Sequence, residues 1–142
     1  MPSFTAQLPN LQSQGPVVDM RVSIGTPVEE ALKKSGAKVP DPVPAKGMID
    51  TGATASVVQP AIARQLGLKP VGVVTISTPS TQNMLCYQYV LRLVFPNNVV
   101  AEALAIEAPL KGQGIQCLVG RDVLAHGVLV YTGYMNQFTL SF

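Results

Sequence analysis

The sequence predicts one mostly-β domain, a partly closed barrel or a sandwich with one or two short helices. Three observations carry this. Short apolar runs recur along the 142 residues, each closed by a turn-forming cluster. Gly and Pro supply 12 residues each, spread so that few stretches can be long helices. The length suits one domain and buries a core without metal or disulfide staples.

Residues 1–16 are polar and irregular, with Pro2, Pro9 and several glutamines, and read as an arm or a peripheral strand ahead of a domain over 17–142. Val17 to Ile24 alternates, with Val18, Met20, Val22 and Ile24 on one face, and predicts a strand. Gly25-Thr26-Pro27 ends it, and Glu29 to Lys34 fits one or two helical turns. Pro40, Pro42 and Pro44 make residues 35–46 an extended surface loop, because Pro fixes φ and lacks a donor.

Gly47 to Asp50 is a short strand, and Ser56 to Val58 resumes extended structure. Pro60 to Leu66 has a first-turn proline, an Ile62/Leu66 pair and Gly67 as a stop, so it predicts a helix. Val71 to Ser77 and Met84 to Phe95 are apolar runs around a small polar link, residues 78–83, and predict a long hairpin. Pro96-Asn97-Asn98 turns the chain into a returning strand, Val99 to Ile106. Ile115 to Val119 lacks alternation and predicts a strand buried on both faces. Arg121 to His126 is a short helix stopped by Gly127, and two strands, Val128 to Tyr131 and Gln137 to Phe142, close the chain.

Composition removes several function classes. A net charge of +2, with no basic run longer than Lys33-Lys34, gives no footprint for nucleic acid. Cys86 and Cys117 form no C-x-x-C pair, and with one histidine no zinc set assembles within the chain. They read as buried thiols in a reducing compartment. The start carries no secretory pattern and no apolar run is long enough to span a bilayer. The expectation is a cytoplasmic protein or the soluble part of a larger one.

The chemistry narrows by elimination. A serine or cysteine triad needs a histidine base, and His126, beside its glycine stop, reads as a capping or surface residue. No phosphate-binding glycine motif is present. Among the carboxylates, only Asp50 and Asp122 adjoin buried-looking strands. Asp50 follows Met48-Ile49 and precedes Thr51, whose hydroxyl can tie a turn, and Gly52, which admits a close backbone approach. One carboxylate does not cleave a peptide with water, whereas two at close range share a proton and act as base and acid. The chain offers one Asp-Thr-Gly, so an enzyme of this kind is a homodimer with a two-fold axis through its site.

Two motifs together resemble the retropepsin-like aspartic proteases: Asp50-Thr51-Gly52-Ala53 after an apolar entry, and Leu118-Val119-Gly120-Arg121-Asp122 at domain-scale spacing. The resemblance covers Val17 to Phe142 and implies the retropepsin-like acid protease fold. It implies catalytic roles for Asp50, Thr51 and Gly52, with Asp50 holding the attacking water and Thr51 tying the subunits. Gly120, Arg121 and Asp122 would support the catalytic loop from beneath. Ala53, Thr54 and the flap-like hairpin residues Ile76, Ser77, Thr78, Pro79 and Ser80 would line the substrate cleft. The C-terminal strand, Phe138 to Phe142, would join a dimer sheet. The partners implied are a second copy and a peptide or protein substrate of apolar preference; no cofactor or metal is implied.

The sequence departs from the family in three places. Thr54 stands where viral members often carry a second acid that pairs with the motif arginine, so Arg121 is expected to pair elsewhere, its own helix being one place. The link at 78–83 lacks the glycine-rich run of viral flaps, and the Pro-rich loop has no counterpart in compact viral members. These departures keep a catalytically silent dimerisation or peptide-binding module as the alternative.

Overall fold

The computed structural model describes residues 1–77, 83–112 and 114–142. Ten strands and four short helices occur among them. Seven strands form one sheet in the order β2-β3-β8-β4-β7-β6-β5, and β2 also pairs with β6. That extra pairing closes six strands into a ring, with β5 outside it on β6. The mostly-β expectation holds.

β2 (Val17–Ile24) buries Val18, Met20, Val22 and Ile24, the face its alternation marks, and leaves Asp19 exposed. It pairs antiparallel with β3 (Val43–Ile49) and β6 (Met84–Val94). β3 extends into the stretch expected to be loop, and includes Pro44 opposite Arg21. Pro44 is tolerated because β3 has a neighbour on its other side only from Gly47 onward, where β8 (Cys117–Val119) begins. At Pro44 the strand is an edge and its missing N–H serves no ladder.

The first helical segment is longer than expected. α2 (Thr26–Ser35) begins three residues earlier than Glu29 and has Pro27 in its first turn. Its N-terminus is fastened by polar contacts that sequence periodicity does not show. Arg92 on β6 donates to Glu29 Oε2 and Thr26 Oγ1, both at 2.7 Å, and Thr26 N–H donates to Glu102 Oε1. Lys33 adds a second ion pair to Glu29 at 2.8 Å.

Of the two readings for residues 1–16, the structure shows a peripheral strand. β1 (Ser3–Gln7) pairs with β10 (Gln137–Ser141), which pairs with β9 (Val128–Thr132) in a separate three-stranded sheet. A single turn, α1 (Leu11–Gln14), then buries Leu11. The small sheet is joined to the ring by aromatic packing. Phe4 stacks on Phe95 at 5.5 Å between centroids and meets Phe138 edge-on, and Phe95 stacks on Phe142. All four phenylalanines of the chain lie in this joint, where offset and edge geometries add to their area burial.

The predicted hairpin is present: β5 (Gly72–Ile76) pairs antiparallel with β6, from Gly72 opposite Gln88 to Ile76 opposite Met84. β7 (Val100–Glu107) returns along β6 after the Asn97-Asn98 turn. α3 (Pro60–Gln65) and α4 (Arg121–Leu124) are the two helices expected after the motifs. β8 lies between β3 and β4 (Val57–Val58), with Cys117 and Val119 fully buried and Leu118 between them only half-buried, so the burial expected on both faces is complete on one.

Candidate active site

The two motifs meet because the strands that carry them run side by side and parallel. Ile49 on β3 is in register with Val119 on β8. Asp50 N–H extends that ladder by one bond, to Val119 C=O at 2.9 Å. Asp50 and Gly120 therefore leave the sheet together at the same end, and the loop 50–56 folds over the start of α4.

The loop is held by its own backbone and by α4. Gly52 N–H donates to Asp50 Oδ1 at 2.9 Å, and Ala53 N–H donates to Asp50 C=O at 3.2 Å. A Cβ at Gly52 would lie 3.2 Å from that carboxylate oxygen, so glycine keeps the close approach open. Asp50 is half-buried, while Thr51, Gly52 and Thr54 are exposed. The carboxylate thus has one oxygen fixed by an amide in a loop that faces outward.

Arg121 does not pair within its own helix, the place that the sequence reading suggested. Its backbone N–H donates to Ala53 C=O at 2.8 Å, its Nη1 to Thr51 C=O at 2.8 Å and its Nη2 to Thr54 Oγ1 at 3.2 Å. With a hydroxyl in place of an acid at 54, the guanidinium keeps the same loop and takes a carbonyl as its stronger partner. Five rigid donors suit such a multi-point grip.

Ser56 was read in the sequence only as part of an extended run, and no motif singles it out. It is fully buried. Its hydroxyl donates to Asp122 Oδ1 at 2.8 Å and accepts Gly120 N–H at 3.0 Å. Asp122 Oδ1 also accepts Val123 N–H at 2.9 Å within the first turn of α4, whereas its buried Oδ2 has no hydrogen-bond partner among the described residues. The signal available in the sequence was a lone small polar residue directly before the apolar pair Val57-Val58.

Gly120 is required by contact rather than by φ. A Cβ there would lie 2.6 Å from Ala55 C and 2.7 Å from Ala55 O, both backbone atoms. Cys117 lies just upstream on β8; burial first, and then the nearby Asp122 carboxylate, push its thiol up to about 12. Cys86 on β6 is raised by burial and by Glu107. Both are free and buried, in keeping with the reading of inert core thiols. His126 is exposed.

Ile76 ends β5 and Ser77 follows it, and among the described residues no hydrogen bond joins either to residues 50–54. Thr78, Pro79 and Ser80 lie outside the described residues. Among the described residues, no group of three or more His, Cys, Asp or Glu side chains could hold a metal ion, and no helix is long and apolar enough to cross a membrane.

No curated protein sequence matches the chain. Among solved structures, it is similar over its whole length to a retropepsin-like aspartic protease from Rickettsia conorii. That match covers 95% of the relative at 11% identity, with a TM-score of 0.52. It also aligns, over 84% of its length and at 16% identity, with two viral proteins. One is the foamy viral protease-reverse transcriptase, covered over 14% of its chain with a TM-score of 0.49. The other is the EIAV protease solved with an inhibitor, covered over 92% with a TM-score of 0.44. The aspartyl protease family profile matches residues 36–123, which contain both the Asp50 loop and the Gly120-Arg121-Asp122 junction. With more than half its length matched and the retropepsin-like fold around that match, the chain belongs to the aspartyl protease family.

Proposed function

We propose that the protein is an aspartic endopeptidase that works as a homodimer, with one Asp50 from each chain. The observation that carries this is the Asp50 carboxylate, braced by Gly52 N–H on an outward loop that Arg121 grips. A brace of this kind leaves the second oxygen free for water. Paired across a two-fold axis, the two carboxyls would share one proton. One Asp50 takes a proton from the water as it attacks the peptide carbonyl, and the other gives its proton to the carbonyl oxygen. Collapse of the resulting diol returns a proton to the leaving amine.

Thr51 and Gly52 are exposed and available to a partner chain, as are Val128, Val130 and Tyr131 on β9, each about half-exposed. β9 is an edge of the small sheet and starts seven residues after Arg121. Val128 and Val130 give one exposed apolar face on that edge strand, with Tyr131 on the other face, and an unpaired apolar edge supports association. Ala53, Thr54, Ile76 and Ser77, with Thr78 to Ser80, would contact a peptide of apolar preference, and Gly120, Arg121 and Asp122 would hold the loop from behind.

Replacing Asp50 by Asn tests the reading, because the amide oxygen still accepts Gly52 N–H. Cleavage of a diverse peptide pool should fall by about 10²–10⁴-fold while the fold and dimer persist. Activity per chain should also drop on dilution. Cleavage retained in Asp50→Asn would sink the proposal. Thr54, in place of the second acid, motivates the silent peptide-binding alternative, which predicts peptide binding by the wild type with no turnover from weakly acidic to neutral pH.

A further inference from the structure

A second concave site lies away from the Asp50 loop. A groove of about 530 Å³ runs between α2, the proline-rich loop and the connection from α3 to β5. No residue of the 50–56 loop lines it. Its floor is Ile24 and Leu66, 2% and 3% exposed. Val28 and Leu32 of α2 form one wall, and Leu68 and Val71 contribute to the other.

Two features define what fits. The first is charge. Lys38 and Lys69 both line the groove, both are exposed, and neither is in an ion pair among the described residues. Pairing there requires an anion from outside. The second is the lack of backbone donors. Gly67, Leu68 and Val71 N–H groups are already spent on Arg64, Ala63 and Gln88 carbonyls, and Pro40 and Pro70 have none. An extended peptide would bury most of its own carbonyls against this wall without donors. A ligand with no polar group along its length and one anionic end meets no such cost.

We propose that this groove binds a free fatty acid. The alkyl chain lies along Ile24, Leu66 and Leu68, and the carboxylate sits between Lys38 and Lys69. The volume falls in the range of small-ligand sites, about 300–1,000 Å³. The site is independent of peptide hydrolysis, so it stands or falls apart from the proposed activity.

Titration of the isotopically labelled full chain with dodecanoate below its micelle concentration, followed by amide NMR, tests this. Saturable shifts should centre on Leu68, Lys69 and Val71. The exposed Lys38→Gln/Lys69→Gln double variant should keep its spectrum outside the groove and bind about tenfold more weakly, the cost of losing two exposed charge pairs. Dodecanol, with the same chain and no charge, should bind the wild type comparably weakly. Absence of saturable binding, shifts centred on Asp50 to Thr54, or equal affinity for the double variant or for dodecanol would overturn it.

Discussion

The buried Ser56 hydroxyl offers the sharpest test of how the candidate site is held. Ser56→Ala removes one oxygen and leaves the backbone and packing shape intact. Gly120 N–H then loses its only acceptor among the described residues, in a buried place. An orphaned buried donor costs about 1–3 kcal/mol. Asp122 Oδ1 loses one of its two donors but keeps Val123 N–H, a smaller loss of about 1 kcal/mol. The total is about 2–4 kcal/mol. At about 2.1 cal/mol/K per residue, 142 residues give an unfolding entropy near 0.3 kcal/mol/K, so Tm should fall by about 7–13 °C. Urea unfolding at constant m measures the free energy directly. A double-mutant cycle with Asp122→Ala should show a coupling of at least about 0.5 kcal/mol, since the two share a bond. A loss below about 1 kcal/mol, or strict additivity with Asp122→Ala, would refute the reasoning.

Three further outcomes are expected. Gly120→Ala drives a Cβ to 2.6 Å from the Ala55 backbone, so it should cost about 1–3 kcal/mol and lower any peptidase activity; unchanged stability by urea unfolding would count against that contact. Cys117, with its thiol raised to about 12, should resist iodoacetamide at about pH 8 until the protein unfolds, and mass-spectrometric labelling of the folded chain at Cys117 contradicts this. Its raised value also contributes stability that is complete below the ordinary thiol value of 9.0 and is lost as pH rises toward 12. Glu29 is held below its ordinary 4.5 by Lys33 and then Arg92, and Glu102 by the Thr26 hydroxyl and then its N–H. Depressed carboxylates stabilise above 4.5 and lose that contribution as pH falls below it. Glu29→Gln/Glu102→Gln should flatten the acid limb of the stability profile, and an unchanged limb argues that other groups set it.

The elements most legible in the sequence were those whose burial follows a simple period. β2 shows its face by alternation, whereas β8, which lacks it, is fully buried on the Cys117/Val119 face alone. The punctuation around α3, Pro60 and Gly67, was equally readable. What escaped notice depended on partners distant in the chain. Pro44 disqualifies a central strand, yet β3 is an edge at that residue, a fact set by where β8 begins. α2 has no fully buried residue to give it a strong stripe, and its first turn is fastened by Arg92 and Glu102 from β6 and β7. For Arg121 the sequence suggests its own helix and no particular partner. Its actual partners are a carbonyl and a hydroxyl, acceptors that charge patterns do not reveal. Ser56 carries no motif, because its role needs Gly120 and Asp122 beside it.

The parallel pairing of β3 with β8 has a consequence for the proposed dimer. It brings Asp50 and Gly120 out of one sheet end within a single chain. The amide on Asp50 Oδ1 and the Arg121 grip on Thr51 C=O are likewise contacts within that chain. Half of the site is therefore ordered before any partner arrives. Association then has no loop-ordering cost to offset, only the loss of free motion and whatever side chains are immobilised at the interface. A half-site that instead folded on binding would expose its loop backbone in the monomer and show weak amide protection there. Here Asp50, Ala53 and Arg121 N–H groups are bonded within one chain, so their protection should be independent of protein concentration. Activity that falls on dilution while these amides stay protected would then report loss of the second carboxylate, not melting of the first.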